Sequence, residues 1–158
     1  MKKVLLSVSA LTLLLTACKK NDDSGQPATQ KIVGSWIMTS DQTLVTTNGV
    51  NAQPIDNFIN ESSCTKDDLY NYTANGMFSN TEGATKCRTA DPDTIGKGMY
   101  SLYSNDTRLI YRAENGAPLD TFDIVELSGS TMRLKKDVTL SGSGVTVVSS
   151  NQLAFSKK

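Results

Sequence analysis

The sequence predicts an all-β fold, an eight-stranded antiparallel up-and-down barrel, on three observations. Ser and Thr together number 35 of the 158 residues whereas Glu numbers only 4, a composition that favours strands and turns over helices. From residue 31 onward, short runs rich in β-branched and aromatic residues alternate with Gly, Asn and Ser. The connections are short enough to make successive strands antiparallel neighbours, and pairing the first strand with the last removes both open edges.

The first 17 residues have the pattern of a signal peptide. Lys2 and Lys3 precede an apolar run that is too short to span a bilayer. The run ends in Leu-Thr-Ala-Cys, which resembles the lipobox of bacterial lipoproteins, so we expect Cys18 to carry a diacylglyceryl group and further acyl chains such as palmitate. These chains would anchor the protein to a membrane without spanning it. An ordinary secretory cleavage site with an incidental cysteine is the alternative.

Residues 18–30 are predicted to be the lipidated cysteine and a flexible tether. Positions 19–30 contain no hydrophobic residue larger than Ala and therefore cannot join a core. Lys19 is not the Asp that commonly retains lipoproteins at the inner membrane, so we expect the outer membrane. The run Lys-Lys-Asn-Asp-Asp resembles acidic export signals of surface-exposed lipoproteins, although a plain soluble linker explains Asp22 and Asp23 equally well.

Residues 31–158 are predicted to form the barrel domain. After the first strand, a long polar connection runs to Asp67, with a helical turn expected over residues 55–59. The Asn-Gly pair at 75–76 supplies the backbone conformations of a tight hairpin between the second and third strands. Short turns containing Asn, Asp, Gly and Ser separate the later strands. The eight strands are predicted at residues 36–47, 69–73, 77–85, 99–104, 108–113, 119–127, 131–140 and 145–155.

The cysteines fit a compartment outside the reducing cytoplasm. Once Cys18 is consumed by lipid, Cys64 and Cys87 remain, and only one intramolecular pairing is open to them. We therefore predict a Cys64–Cys87 disulfide. A nucleophilic thiol is the alternative, but the chain has no His to lower its pKa.

Alternation along the strands predicts one apolar face per strand, turned into the barrel. An eight-stranded interior is either filled by side chains or holds one small ligand. Tyrosines with an apolar ring and a polar tip favour a cavity, while plain core packing stays open as the alternative. The interior residues predicted to bind a ligand are Tyr70, Tyr72, Tyr100, Leu102, Leu109, Tyr111, Phe122 and Ile124.

The sequence Gly34-Ser35-Trp36 looks like the Gly-x-Trp opening of the lipocalins. The whole domain resembles the lipocalin-like domains of bacterial surface lipoproteins, because an acidic pair before a Tyr-x-Tyr strand, a cysteine pair and a series of hairpins follow. The resemblance implies a barrel that binds a small apolar or amphipathic molecule, with Trp36 plugging one end and Arg133 packed over its ring. The Thr-Asp-Tyr motif of typical lipocalins has no match near residues 128–130, and the family's Arg lies later than Arg133.

Several function classes are excluded by composition. Zero net charge argues against a nucleic-acid partner, and the absence of His removes sites built on imidazole. The segment from Asp91 fails as a calcium loop because Leu102 stands where a bidentate Glu is needed, so we predict no metal and no cofactor. The candidate acids and bases are Asp67, Asp68, Asp120, Asp123 and Glu126. Asp67 and Asp68 fall at a strand entrance, Asp120 and Glu126 fall near strand ends exposed to water, and no second catalytic element accompanies them, so we predict a non-enzymatic protein. A protein-interaction role, as inhibitor or accessory subunit of an envelope complex, is the alternative function.

Overall fold

Ten β-strands supply nearly all the regular structure of residues 25–158, the part of the chain that the computed structural model describes. The predicted signal peptide, Cys18 and positions 19–24 of the predicted tether lie outside these residues. The strands are β1 (Gly34–Thr47), β2 (Val50–Asn51), β3 (Ile55–Asp56), β4 (Leu69–Tyr72), β5 (Met77–Thr81), β6 (Thr94–Tyr103), β7 (Arg108–Arg112), β8 (Pro118–Leu127), β9 (Thr131–Gly142) and β10 (Val145–Lys157). The helical segments are short: α1 (Ala28–Lys31), a 3₁₀ turn (Phe58–Asn60) and α2 (Ser63–Lys66).

Eight of these strands close into the predicted antiparallel barrel. β1 pairs with β4, and β4 to β10 then pair in chain order. β10 returns to β1, with Trp36 opposite Lys157 at one end of the ladder and Thr47 opposite Val147 at the other. The two-residue strands β2 and β3 pair only with the second half of β1. First-to-last pairing leaves the barrel without an open edge, which confirms the predicted fold class.

The hairpin turns follow the turn chemistry of the sequence. Gly76, with φ +81°, lies in the turn between β4 and β5 that was predicted from the Asn-Gly pair. Positive φ angles also occur at the non-glycine residues Ser104, Asn105 and Asp106, which connect β6 to β7. Asn and Asp adopt this left-handed conformation more readily than most residues.

Two strand boundaries differ from the sequence prediction by more than two residues. The third predicted strand ends at Thr81 rather than residue 85, and β6 begins at Thr94 rather than residue 99. β6 extends through Gly96 and Gly98 because Gly98 pairs with Phe78, whose ring atom Cε1 lies 2.8 Å from the place a Gly98 Cβ would take. The aromatic ring therefore covers a strand position where glycine lacks a side chain.

A buried cluster closes one end of the barrel. Trp36 is fully buried, and its indole Nε1 donates a hydrogen bond of 2.8 Å to the carbonyl oxygen of Ile32, just after α1. Lys157 Nζ lies 5.2 Å from the centre of the Trp36 ring and donates to the Lys31 carbonyl at 2.9 Å. The remaining buried hydrophobic residues are Tyr72, Leu109, Met132, Leu134 and Phe155.

The disulfide lies outside the barrel wall. Cys64 in α2 is bonded to Cys87 in the connection between β5 and β6, which confirms the predicted pairing. Helix α2 is capped by Ser62, whose side chain accepts a hydrogen bond from the Thr65 backbone. Among the described residues, no helix has the length and apolarity needed to cross a membrane.

Candidate functional site: a cavity in the barrel

A cavity of about 370 Å³ lies within the barrel, next to the buried cluster that closes one end. Its volume is within the range of small-molecule sites. The residues that line it are Met38, Asp41, Tyr70, Phe78, Asn80, Tyr111, Phe122, Leu134, Asn151, Leu153 and Phe155. Trp36 is absent from the lining, because it packs below the cavity against Ile32.

Aromatic rings form much of the cavity wall. Phe78 meets Tyr111 edge-to-face at 4.9 Å between ring centres, and Tyr111 meets Phe122 in the same way at 6.0 Å. On β4 and β10, the two strands that flank β1, Tyr70 meets Phe155 at 5.2 Å between ring centres and an interplanar angle of 71°. Such edge-to-face pairs stabilise the rings in fixed orientations and present apolar surface to the cavity.

The hydroxyl of Tyr111 is hydrogen-bonded to another buried tyrosine rather than being free to bind a ligand. It shares a short hydrogen bond with the Tyr72 hydroxyl, and Tyr72 in turn meets Tyr100 edge-to-face. Burial raises the pKa of both Tyr72 and Tyr111 above the usual value, so each hydroxyl stays protonated at neutral pH. These two groups are neutral and satisfy one another.

A β-bulge in β1 brings a carboxylate into the cavity. The register against β10 shifts between Met38 and Ser40, so Thr39 has no partner. Met38 faces the cavity before the bulge, and Asp41 faces it afterwards. The Asp41 Oδ1 atom accepts hydrogen bonds from Asn57 Nδ2 at 3.1 Å and from Asn151 Nδ2 at 2.8 Å.

Asn80 contributes a second acceptor at the same end. It lies opposite Tyr70 in the ladder between β4 and β5. Its Oδ1 atom is buried and has no hydrogen-bond partner among the described residues. Burial, followed by the charge of Asp68, raises the pKa of Tyr70. The Asn80 side chain opposes that rise by hydrogen bonding, which its amide nitrogen supplies as donor to the Tyr70 oxygen, so Oδ1 itself stays without a donor. The polar end of the cavity therefore contains an unsatisfied buried acceptor.

A protein-family model described as the lipocalin-like domain matches residues 32–134, more than half of the chain. The chain belongs to this lipocalin-like family. The match begins at the residue that accepts the Trp36 indole hydrogen bond and continues into β9. No curated protein matches the chain, and no solved structure matches it. The barrel is of a ligand-binding type, and lipocalin-like domains generally act without catalysis.

All eight predicted interior residues of this lipocalin-like domain pack in or against its buried apolar cluster. Three of them line the cavity: Tyr70, Tyr111 and Phe122. The other five belong to the surrounding packing: Tyr72, Tyr100, Leu102, Leu109 and Ile124. Contact of any of them with a ligand stays a prediction.

Sequence reasoning missed eight lining residues: Met38, Asp41, Phe78, Asn80, Leu134, Asn151, Leu153 and Phe155. Strand alternation indicates an inward position for some of them. Met38 follows Trp36 at a spacing of two residues, and Leu153 and Phe155 have the same spacing on β10. Asp41 carried no such signal, since counting by twos from Trp36 places it on the outer face.

The expectation that Arg133 packs over Trp36 is wrong. Arg133 lies between the buried residues Met132 and Leu134 on β9, and alternation therefore turns it outward. Its side chain is 62% exposed and its Nε lies 3.3 Å from Glu126 Oε2. In this lipocalin-like domain Lys157 supplies the cation over the indole ring.

The candidate acids and bases have structural partners. Asp120 pairs with Lys136 at 2.7 Å, and Asp123 pairs with Arg108 at 3.1 Å. Glu126 pairs with Arg133, as described above. Residues 25–158 contain no cluster of three or more side chains suited to holding a metal ion.

The adjacent pair Asp67 and Asp68 lies at the start of β4, outside the cavity lining. Asp67 Oδ2 accepts hydrogen bonds from the Thr85 backbone and hydroxyl at 2.9 and 2.8 Å. Burial, and then the nearby Glu82 charge, raise the pKa of Asp68. The pair fixes the connection between β5 and β6 against the start of β4.

Proposed function

We propose that this protein is a membrane-anchored lipoprotein whose barrel binds a small apolar or amphipathic ligand reversibly and without chemical change. The observation that carries the proposal is the cavity of about 370 Å³, which is walled largely by aromatic rings and lies inside a barrel whose one end is closed by the buried cluster around Trp36. A ligand that replaces water against Phe78, Phe122 and Leu153 gains the free energy of burying its apolar surface.

The arrangement of polar groups supports binding over catalysis. Catalysis by two carboxylates needs both near one reacting bond. Asp41 alone among the lining residues carries a carboxylate, whereas Asp120, Asp123 and Glu126 are held in ion pairs. We therefore propose sequestration or transport of the ligand as the role of the barrel.

Native mass spectrometry tests ligand binding directly. Every barrel strand lies between Gly34 and Lys157, so a chain beginning at Lys19 and secreted to allow disulfide formation contains the whole barrel. We expect an adduct that organic extraction removes. Leu153→Trp should abolish the adduct by filling the cavity, whereas Gln152→Trp, the exposed neighbour on β10, should retain it. Equal adduct in both variants would place the small molecule outside the barrel.

We propose anchoring through Cys18 in the outer membrane, with the domain exposed to the cell exterior. The lipobox, the lack of Asp at position 19 and the acidic run after Cys18 support this location. Cells supplied with an alkyne-tagged palmitate should label the protein, and Cys18→Ala should abolish the label and release the protein from membranes. Protease added to intact cells should degrade a surface-exposed domain, whereas a periplasmic domain should survive.

A protein-interaction role is the second candidate, favoured by exposed apolar side chains at the ends of the strands beyond the cavity. Val50 is 72% exposed and Leu140 is 69% exposed, on segments that pair with β1 and β10 respectively. Exposed apolar residues in proximity are typical of contact surfaces. Val50→Ser with Leu140→Ser should weaken association with an envelope protein and leave the cavity adduct unchanged if this role applies.

A further inference from the structure

The polar groups that line the cavity are concentrated on one side. Asp41 on β1 and Asn151 on β10 are joined by a hydrogen bond, and Asn80 lies on β5. The Tyr70 hydroxyl lies on this polar side beside the Asn80 side chain, and the Tyr111 hydroxyl is bonded to Tyr72. The rest of the lining is aliphatic or aromatic. A bound molecule that matches this surface has an apolar body and a single polar end.

The polar end presents hydrogen-bond acceptors. Asn57 and Asn151 each donate an amide N–H to Asp41 Oδ1, so one N–H of each is already engaged within the protein. The Asn80 Oδ1 atom is buried without a donor among residues 25–158. A buried acceptor that lacks a protein donor is unfavourable unless water or a ligand supplies one, and a ligand that displaces the water has to supply the donor itself.

The charge at this end is negative. Asp41 has no Lys or Arg within ion-pair distance in the described part of the chain. Arg133 and Lys135 flank Leu134 in the ladder but alternate to the other face, and each lies within ion-pair distance of a carboxylate of its own. Lys136 shares the face of Leu134 and lies opposite Asn151, and its Nζ lies 2.7 Å from Asp120 Oδ1, which compensates its charge. An anionic head group near Asp41 would meet like charge, whereas a cationic one would form a charge-assisted hydrogen bond.

We propose that the cavity selects an amphipathic molecule whose polar end is a hydrogen-bond donor with positive charge, a primary ammonium group, held by Asp41 and Asn80. This inference rests on the proposed ligand-binding function and adds the chemical class of the ligand. The β-bulge at Thr39 creates the selectivity, because it turns the carboxylate of Asp41 into an otherwise apolar cavity.

Three probes with one tail and different head groups test the proposal: n-octylamine, n-octanol and n-octanoate. Their affinities for the secreted chain from Lys19 are measured by isothermal titration calorimetry at neutral pH and low salt. We expect octylamine to bind on the order of tenfold more tightly than octanol, and octanoate to bind most weakly. This ranking uses the unsubstituted protein and does not depend on the folding of any variant.

Asp41→Asn identifies the group responsible. It should reduce octylamine affinity by on the order of tenfold and leave octanol affinity nearly unchanged, because only the ammonium interacts with the carboxylate charge. Asp123→Asn is the matched control, since Asp123 is an exposed carboxylate paired with Arg108 on the barrel wall. It should alter neither affinity.

Two results would overturn the proposal in distinguishable ways. Equal affinities for the three probes, or tightest binding of octanoate, would refute selection of an ammonium group and leave cavity binding intact. Failure of all three probes to bind the unsubstituted protein would refute the selection and also count against the proposed ligand-binding function.

Discussion

Replacement of Trp36 by Phe tests whether the buried, hydrogen-bonded indole stabilises the closed end of the barrel. The substitution keeps an aromatic ring but removes the second ring and the Nε1 donor. In the native structure that donor lies 2.8 Å from the Ile32 carbonyl oxygen, and both residues are fully buried. The variant therefore loses a buried hydrogen bond and part of a close-packed side chain.

The expected loss of stability follows from these two contributions. Leaving a buried carbonyl without its donor costs about 1–3 kcal/mol. The smaller ring leaves a void of about 40 Å³, which adds about 1 kcal/mol at roughly 24 cal/mol per Å³. We expect Trp36→Phe to lower the free energy of unfolding by about 2–4 kcal/mol.

Urea denaturation followed by far-ultraviolet circular dichroism measures this change, since the substitution removes the only tryptophan. Lys157→Met is the companion variant, because it keeps an apolar stem near the ring and removes the ammonium that lies 5.2 Å from its centre. Because the variant also loses the hydrogen bond from Lys157 Nζ to the Lys31 carbonyl oxygen, we expect it to cost about 1–3 kcal/mol. A Trp36→Phe protein as stable as the native chain would refute a stabilising role for the hydrogen bond between Trp36 and the Ile32 carbonyl.

Two further predictions concern the disulfide and the buried tyrosines. Cys64→Ser with Cys87→Ser should lower the free energy of unfolding by about 3.5 kcal/mol, since the bond closes a loop of about 24 residues. Reductant should destabilise the native chain by the same amount and leave the double variant unaffected; no effect on either would show that the loop is constrained by other contacts. Stability should hold up to about pH 10 and fall above it, because Tyr72 and Tyr111 have raised pKa values when folded and ionise first in the unfolded chain. Tyr72→Phe with Tyr111→Phe should flatten that decline in urea titrations at several alkaline pH values, and an unchanged slope would assign it to other groups.

The strand order and barrel closure were predictable because the turns are local. The Asn-Gly pair that ends at Gly76 specifies its hairpin within a few residues, and short connections leave few alternatives for the pairing of neighbours. The start of β6 was not predictable in this way. Gly98 disfavours a strand by itself, and only the ring of Phe78, from a neighbouring strand, covers it.

The cavity was only partly predictable, because its polar end depends on one irregular residue. Alternation along β1 holds from Trp36 to Met38 and then changes phase at Thr39. No local pattern in the sequence marks that shift, so the inward position of Asp41 emerges only from its register against β10.

The cation over the Trp36 ring is a lysine, whereas the family resemblance implies an arginine from a late strand. Arg133 is the last arginine of the sequence, but its neighbours on β9, Met132 and Leu134, are buried, so Arg133 points out of the barrel. Lys157 reaches the ring because β10 pairs with β1 at Trp36 itself, a contact between the two ends of the domain.

The position at which the chain enters the barrel determines where a membrane anchor would attach to the domain. The chain arrives through α1 and Ile32 at the end closed by Trp36, and Lys157 binds the Lys31 carbonyl at the same end. A lipid anchor at Cys18 would therefore join the domain at its closed end, through a predicted tether that leaves the barrel free to turn relative to the lipid surface. Attachment at that end would keep the tether away from the cavity, so ligands would exchange with the aqueous phase and the lipid would supply attachment alone.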